Sequence, residues 1–158
     1  MSLSKSAQSV QDALSRNGID IKVVELPATT RTAEEAAKTI GCEVAQIGKS
    51  LIFKTKHTHK PILVLASGIN RVNEKLIAKA IGEEIVKADA DFTREVTGFA
   101  IGGIPPIGHQ QKIETLIDED LLQLKELWAA AGTPNAVFSF DSALIGSLTG
   151  GKIIAIHA

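Results

Sequence analysis

The chain has a single cysteine, Cys42, so it forms no internal disulfide and offers no cysteine-based zinc site. A reducing, cytoplasmic compartment is the expectation. An excess of either charge is also lacking. The formal net charge is -1, which gives no whole-surface attraction to nucleic acid or anionic membrane. No DNA or membrane partner is expected, and any RNA contact must come from a local patch. No apolar run approaches the length of a membrane span, and the opening MSLSKSAQSVQDAL lacks the basic-then-apolar order of a signal peptide.

A nucleotide-binding P-loop is missing too, although GCEVAQIGKS ends in Gly-Lys-Ser. The spacing puts Glu43 where the first glycine belongs, and its carboxylate would face the phosphates. The flanks are reversed as well, because Gly41 follows the helical run TAEEAAKTI and Lys49 leads into the strand-like LIFKT. Lys49 therefore needs another explanation.

What the chain does have is an ordinary globular balance, with 44% hydrophobic and 22% charged residues over 158 positions, consistent with one domain spanning residues 1–158. Leu3, Val10 and Leu14 mark a first amphipathic helix stopped by Asn17-Gly18, and IDIKVVEL reads as an alternating strand. Thr32 with Glu35 forms a capping box for a helix ended by Gly41. IGKSLIFKT and PILVLASG read as strands around the polar KHTHK, Asn73 caps a helix ending at Gly82, and EEIVKAD reads as a short strand. DFTREVTGFAIGGIPPIGHQQ reads as one apolar, Gly- and Pro-rich loop. KIETLID is a strand by pattern, DEDLLQLKELWAAAG a helix ended by Gly132, and AVFSF a strand. A short helix and KIIAIHA close the chain. Such irregular interleaving favours an α+β fold, a mixed sheet with helices packed around it.

Two features stand out chemically. Lys49 is a lone cation beside Ile47, Leu51, Ile52 and Phe53, and is either a solvated lysine at a strand end or a functional one. In TGFAIGGIPPIGH, Gly102 and Gly103 let backbone N–H groups approach a ligand, while Pro105 and Pro106 stiffen the turn. The segment is either the preformed wall of a small-molecule pocket or a buried turn that needs glycine for sterics.

In order along the chain, KSLIF, LVLASG and TGFAIGGIPPIGH followed by KIETLID resemble the YbaK family, proteins akin to the editing domain inserted in bacterial prolyl-tRNA synthetases. The likeness runs from about Thr32 to the C-terminus. The resemblance implies a barrel-like mixed sheet surrounded by helices, and a freestanding deacylase that clears mischarged tRNA in trans. Its partners would be the acceptor end of aminoacyl-tRNA and, as a candidate, prolyl-tRNA synthetase. By the same resemblance Lys49 matches the functional lysine, and Gly68 matches a small residue lining the site. Gly102, Gly103, Ile104, Pro105 and Pro106 match the Gly-x-x-x-Pro substrate loop. PPIGHQQK and AAGTPNAVFSFDSAL depart from YbaK's own sequence, which leaves the removed amino acid open among alanine, cysteine, serine and threonine. A small amino acid on proline tRNA is the error class this family mostly handles.

Such an ester is already activated toward water, so a site needs mainly positioning and oxyanion stabilisation. The N–H groups around Gly102 and Gly103 would face the ester, and Lys49 the terminal phosphate or the carbonyl oxygen. No Ser-His-Asp set stands out, and no metal or other cofactor is required. The alternative is a module of the same fold that binds a nucleotide or aminoacyl analogue without turnover, or a synthetase-docked adaptor.

Other candidates are weaker. His57 and His59 provide two metal ligands without an evident third, and a solvated basic turn with Lys54, Lys56 and Lys60 is the better reading. His109 either touches substrate or satisfies the loop backbone. Cys42 beside Glu43 makes a poor nucleophile. Trp128, spaced with Leu121 and Leu124, reads as a core residue on a helix face.

Overall fold

The structure is a computed structural model and describes residues 3–157; Ala158, the last residue of the closing KIIAIHA, lies outside them. Strand β3 (Pro61–Ser67) is an inner strand because both of its faces are apolar. Ile62, Val64 and Ala66 enter one core cluster and Leu63 and Leu65 another, all without solvent exposure. β2 (Ile47–Thr55) runs antiparallel to β3, from Gly48 opposite Ser67 to Lys54 opposite Pro61. On the far side of β3, β5 (Glu114–Asp118) and then β8 (Lys152–Ile154) add in parallel. On the other side of β2 come β6 (Glu126–Ala130), β7 (Ala136–Asp141) and β1 (Val24–Glu25), while β4 (Ile85–Lys87) pairs with the end of β2. Among the described residues these eight strands form one mixed sheet with helices around it, as the sequence pattern anticipates.

The helix boundaries follow local chemistry. In α2 (Ala33–Ile40) the Thr32 hydroxyl accepts the Glu35 N–H at 3.1 Å, and Gly41 closes the helix in the left-handed region. α3 (Glu74–Ile81) is capped by Asn73 and stopped by Gly82. α1 (Lys5–Arg16) begins at the Ser4 cap rather than at Leu3, which packs against the core from outside the helix.

Three expectations are corrected. IDIKVVEL pairs as a strand only at Val24–Glu25. Before it, the Gln11 side chain serves as a neighbour, donating to the Ile21 carbonyl and accepting the Val23 N–H, each at 2.9 Å. DFTRE is not loop but part of α4 (Ala90–Thr97), where Asp89 accepts the Phe92 N–H at 2.8 Å and Gly98 ends the helix.

The largest correction concerns DEDLLQLKELWAAAG. It forms a 3-10 turn over Glu119–Gln123 and then β6, not a helix. Leu121, Leu124 and Trp128 mimic helical spacing, but Leu127, Ala129 and Ala131 are buried at a period of two. The slot between β2 and β7 selects that second pattern, with Glu126 opposite Asp141 and Ala130 opposite Val137. The short α5 (Ile145–Thr149) precedes β8 as expected.

Candidate active site

β2 has two partners on one edge and a gap between them. β6 pairs at Ile47 and Gly48, β4 pairs from Phe53 to Thr55, and Lys49 to Ile52 have no strand partner on that side. A cavity of about 290 Å³ opens there. Its walls are Lys49 and Ser50 from β2, Arg31 just before α2, Ala33, Glu34 and Ala36 from its first turn, Gly102 and Ile104 from the loop after α4, and Trp128 from β6. A second cavity, of about 570 Å³, extends toward β4 and shares Lys49, Ser50 and Ile104 with the first. Arg71 and Lys87 add positive charge to it, and Glu74 adds negative charge. Lys49 thus stands where the two cavities meet, without an ion-pair partner among the described residues.

The glycine-rich loop is held from behind. A Cβ on Gly103 would lie 2.9 Å from the backbone of Thr133, so this position is closed to larger residues. The Gly103 N–H donates to the Ala100 carbonyl at 3.2 Å, which commits one of the two donors expected at the site. The Gly102 N–H has no acceptor among the described residues, and Gly102 sits at φ +101°, a region glycine enters without strain. Ile104, Pro105 and Pro106 are buried beneath this turn.

Of the residues singled out in the sequence, the structure brings Lys49, Gly102 and Ile104 to the same cavity. Gly68 is buried behind it, where a Cβ would collide with the Val44 carbonyl oxygen and stand 2.8 Å from Ala33. Pro106 and His109 line a different cavity on the far side of the loop, with Lys112 and Glu114. The Nε2 atom of His109 meets the Pro105 carbonyl at 2.7 Å, so the imidazole satisfies the loop backbone. Burial holds His109 below its ordinary pKa, and the hydrogen bond to Pro105 opposes that shift.

Sequence reasoning passed over Arg31, Glu34 and Ser50, and placed Trp128 in the core. Trp128 is half-buried on β6, packs beside Ile47 and donates from Nε1 to Glu126 at 3.1 Å. Ser50 Oγ is enclosed and makes no hydrogen bond among the described residues. Arg31 immediately precedes the Thr32 cap and carried no signal of its own; its Cγ would approach a Gly102 Cβ to 3.3 Å.

The remaining candidates have local explanations. Glu83 accepts the N–H groups of His57 and Thr58 at 2.8 and 2.9 Å, which fixes the polar turn. Lys56 and Lys60 pair with Glu84 and Glu114. Burial, followed by Glu126, raises the Cys42 thiol above its ordinary pKa, as the weaker influence of Glu43 also does.

Residues 27–146 match the model of the aminoacyl-tRNA editing domain, and the chain belongs to that family. A crystal structure described as that of a candidate trans-editing enzyme for prolyl tRNA synthetase superposes with a TM-score of 0.93 at 45% identity, covering 99% of both chains. The candidate Cys-tRNA(Pro)/Cys-tRNA(Cys) deacylase EbsC of Enterococcus faecalis is 29% identical over 79% of this chain and 76% of its own length. The proline--tRNA ligase of Limosilactobacillus fermentum is 36% identical over 57% of this chain, a match that spans only 16% of the ligase.

Proposed function

We propose that the chain is a trans-editing aminoacyl-tRNA deacylase that hydrolyses the ester of a small amino acid, alanine or cysteine, on proline tRNA. The observation that carries this reading is one small cavity lined both by Lys49, which has no ion-pair partner among the described residues, and by Gly102, whose backbone N–H has no acceptor among them. At about 290 Å³ the cavity lies at the low end of small-ligand sites, which suits a short aminoacyl group. The adjoining cavity, with Arg71 and Lys87, suits the terminal nucleotide and its phosphate.

In this arrangement water attacks the ester carbonyl, and negative charge develops on its oxygen. The Gly102 N–H and the Lys49 ammonium stabilise that charge from fixed positions, the kind of preorganisation that lowers such barriers most. No histidine is among the described residues lining either cavity. The ribose hydroxyl beside the ester orients the attacking water, and the departing ribose oxygen takes up the proton. Size selection follows from the cavity walls, where one methylene is worth roughly 10 to 200-fold. Prolyl-tRNA synthetase, the source of the mischarged tRNA, is the partner this role suggests.

The test is hydrolysis of proline tRNA charged in turn with alanine, cysteine, serine and proline. Rapid loss of one small aminoacyl ester with Pro-tRNA spared is the expected result. Survival of all four at the buffer rate would contradict the reading, and binding without turnover would mark a non-catalytic module.

A further inference from the structure

The smaller cavity contains one carboxylate among its described lining residues, Glu34, alongside two cations, Arg31 and Lys49. Glu34 forms no ion pair with either and, among the described residues, its side chain makes no hydrogen bond. The helix-capping work at this end of α2 is done by its neighbour. Glu35 accepts the Thr29 hydroxyl at 2.7 Å and the Thr32 hydroxyl at 3.3 Å, and its N–H meets the Thr32 side chain. Glu34 is therefore a charge on the cavity wall with no duty in the fold beyond a favourable position in the first helical turn.

An aminoacyl ester carries its own cation, the α-ammonium, one carbon from the carbonyl that reacts. If the carbonyl lies against Lys49 and Gly102, the ammonium enters a cavity already holding two positive charges. That is unfavourable unless a carboxylate offsets it. We infer that Glu34 recognises the α-ammonium of the aminoacyl group and orients the ester against Lys49 and Gly102. The cavity then selects esters of free α-amino acids over esters that lack the ammonium or carry it blocked. This inference rests on the deacylase reading.

The test compares two esters of proline tRNA: alanyl, and lactyl, in which a hydroxyl replaces the ammonium. Wild type and Glu34→Gln are assayed on both. The variant keeps the shape of the side chain and disturbs no pairing in the fold. Glu34→Gln should raise KM for the alanyl ester roughly tenfold, with kcat within about threefold and the lactyl ester changed by less than about twofold. An unchanged alanyl KM would overturn the inference. Equal losses on the two esters would overturn it as well, and would point to a general base or a structural role. If wild-type protein hydrolyses only the cysteinyl ester, that ester takes the place of the alanyl one in the comparison; if it hydrolyses none of the three above the buffer rate, the deacylase reading fails and this inference falls with it.

Discussion

The Gly103 carbonyl accepts the Gly132 N–H at 2.8 Å, which ties the loop over the candidate site to the turn joining β6 and β7. Both ends of this tie need glycine for their surroundings: a Cβ on Gly132 would meet the Ser6 carbonyl oxygen at 2.8 Å, and one on Gly103 would meet Thr133. Gly103→Ala would place a Cβ 2.9 Å from three backbone atoms of Thr133, and the backbone has to move. The expected cost is about 1–3 kcal/mol, or a Tm lower by about 2–12 °C. A loop shift of even about 1 Å should lower deacylation by up to about 100-fold. Thermal unfolding together with the deacylation rate checks both parts.

Ser50 offers the opposite case. Its enclosed hydroxyl has no partner among the described residues, and an unsatisfied buried polar group costs about 1–3 kcal/mol. Ser50→Ala should therefore leave stability unchanged or raise it by up to about 1 kcal/mol, about 2–4 °C in Tm. A marked drop in the denaturation midpoint would show that the hydroxyl is paired in solution.

His109 gives the loop a dependence on pH. Burial keeps its folded-state pKa below the ordinary 6.5, so between those two values the unfolded chain binds more protons than the folded one. The contribution of His109 is complete above about pH 6.5 and is lost as pH falls through the folded value. His109→Gln should flatten the loss of stability between about pH 6.5 and pH 5. Urea midpoints of both proteins across that interval test this.

Much of the frame was legible because short side chains announce boundaries. Thr32 with Glu35, Asn73, Gly41 and Gly82 each cap or stop a helix where the sequence indicates. β2 and β3 were legible as apolar runs separated by a polar turn. β6 was not. Leu121 and Leu124 before it carry helical spacing with Trp128, and only pairing with β2 and β7, Trp128 opposite Ile47 and Ser139, decides the outcome. α4 was obscured because it buries Thr93 and Thr97, whose hydroxyls hide an otherwise apolar face; Thr97 Oγ1 donates to the Thr93 carbonyl at 2.7 Å.

The candidate site was half legible for a related reason. Lys49 and the glycine loop lie in segments whose local patterns stand out. Arg31, Glu34 and Trp128 reach the cavity only through the placement of α2 and β6 beside the open edge of β2. Nothing in their local sequence encodes that placement.

The most direct test of the account is the rate of alanyl- and cysteinyl-tRNA(Pro) hydrolysis by Lys49→Ala against wild type. Lys49 makes no ion pair among the described residues, so the variant should unfold within about 2 °C of wild type. Its kcat/KM should fall by about 100-fold or more, the scale seen when one preorganised stabiliser of an oxyanion is removed. A folded Lys49→Ala protein that hydrolyses these esters within about twofold of the wild-type rate would contradict the account.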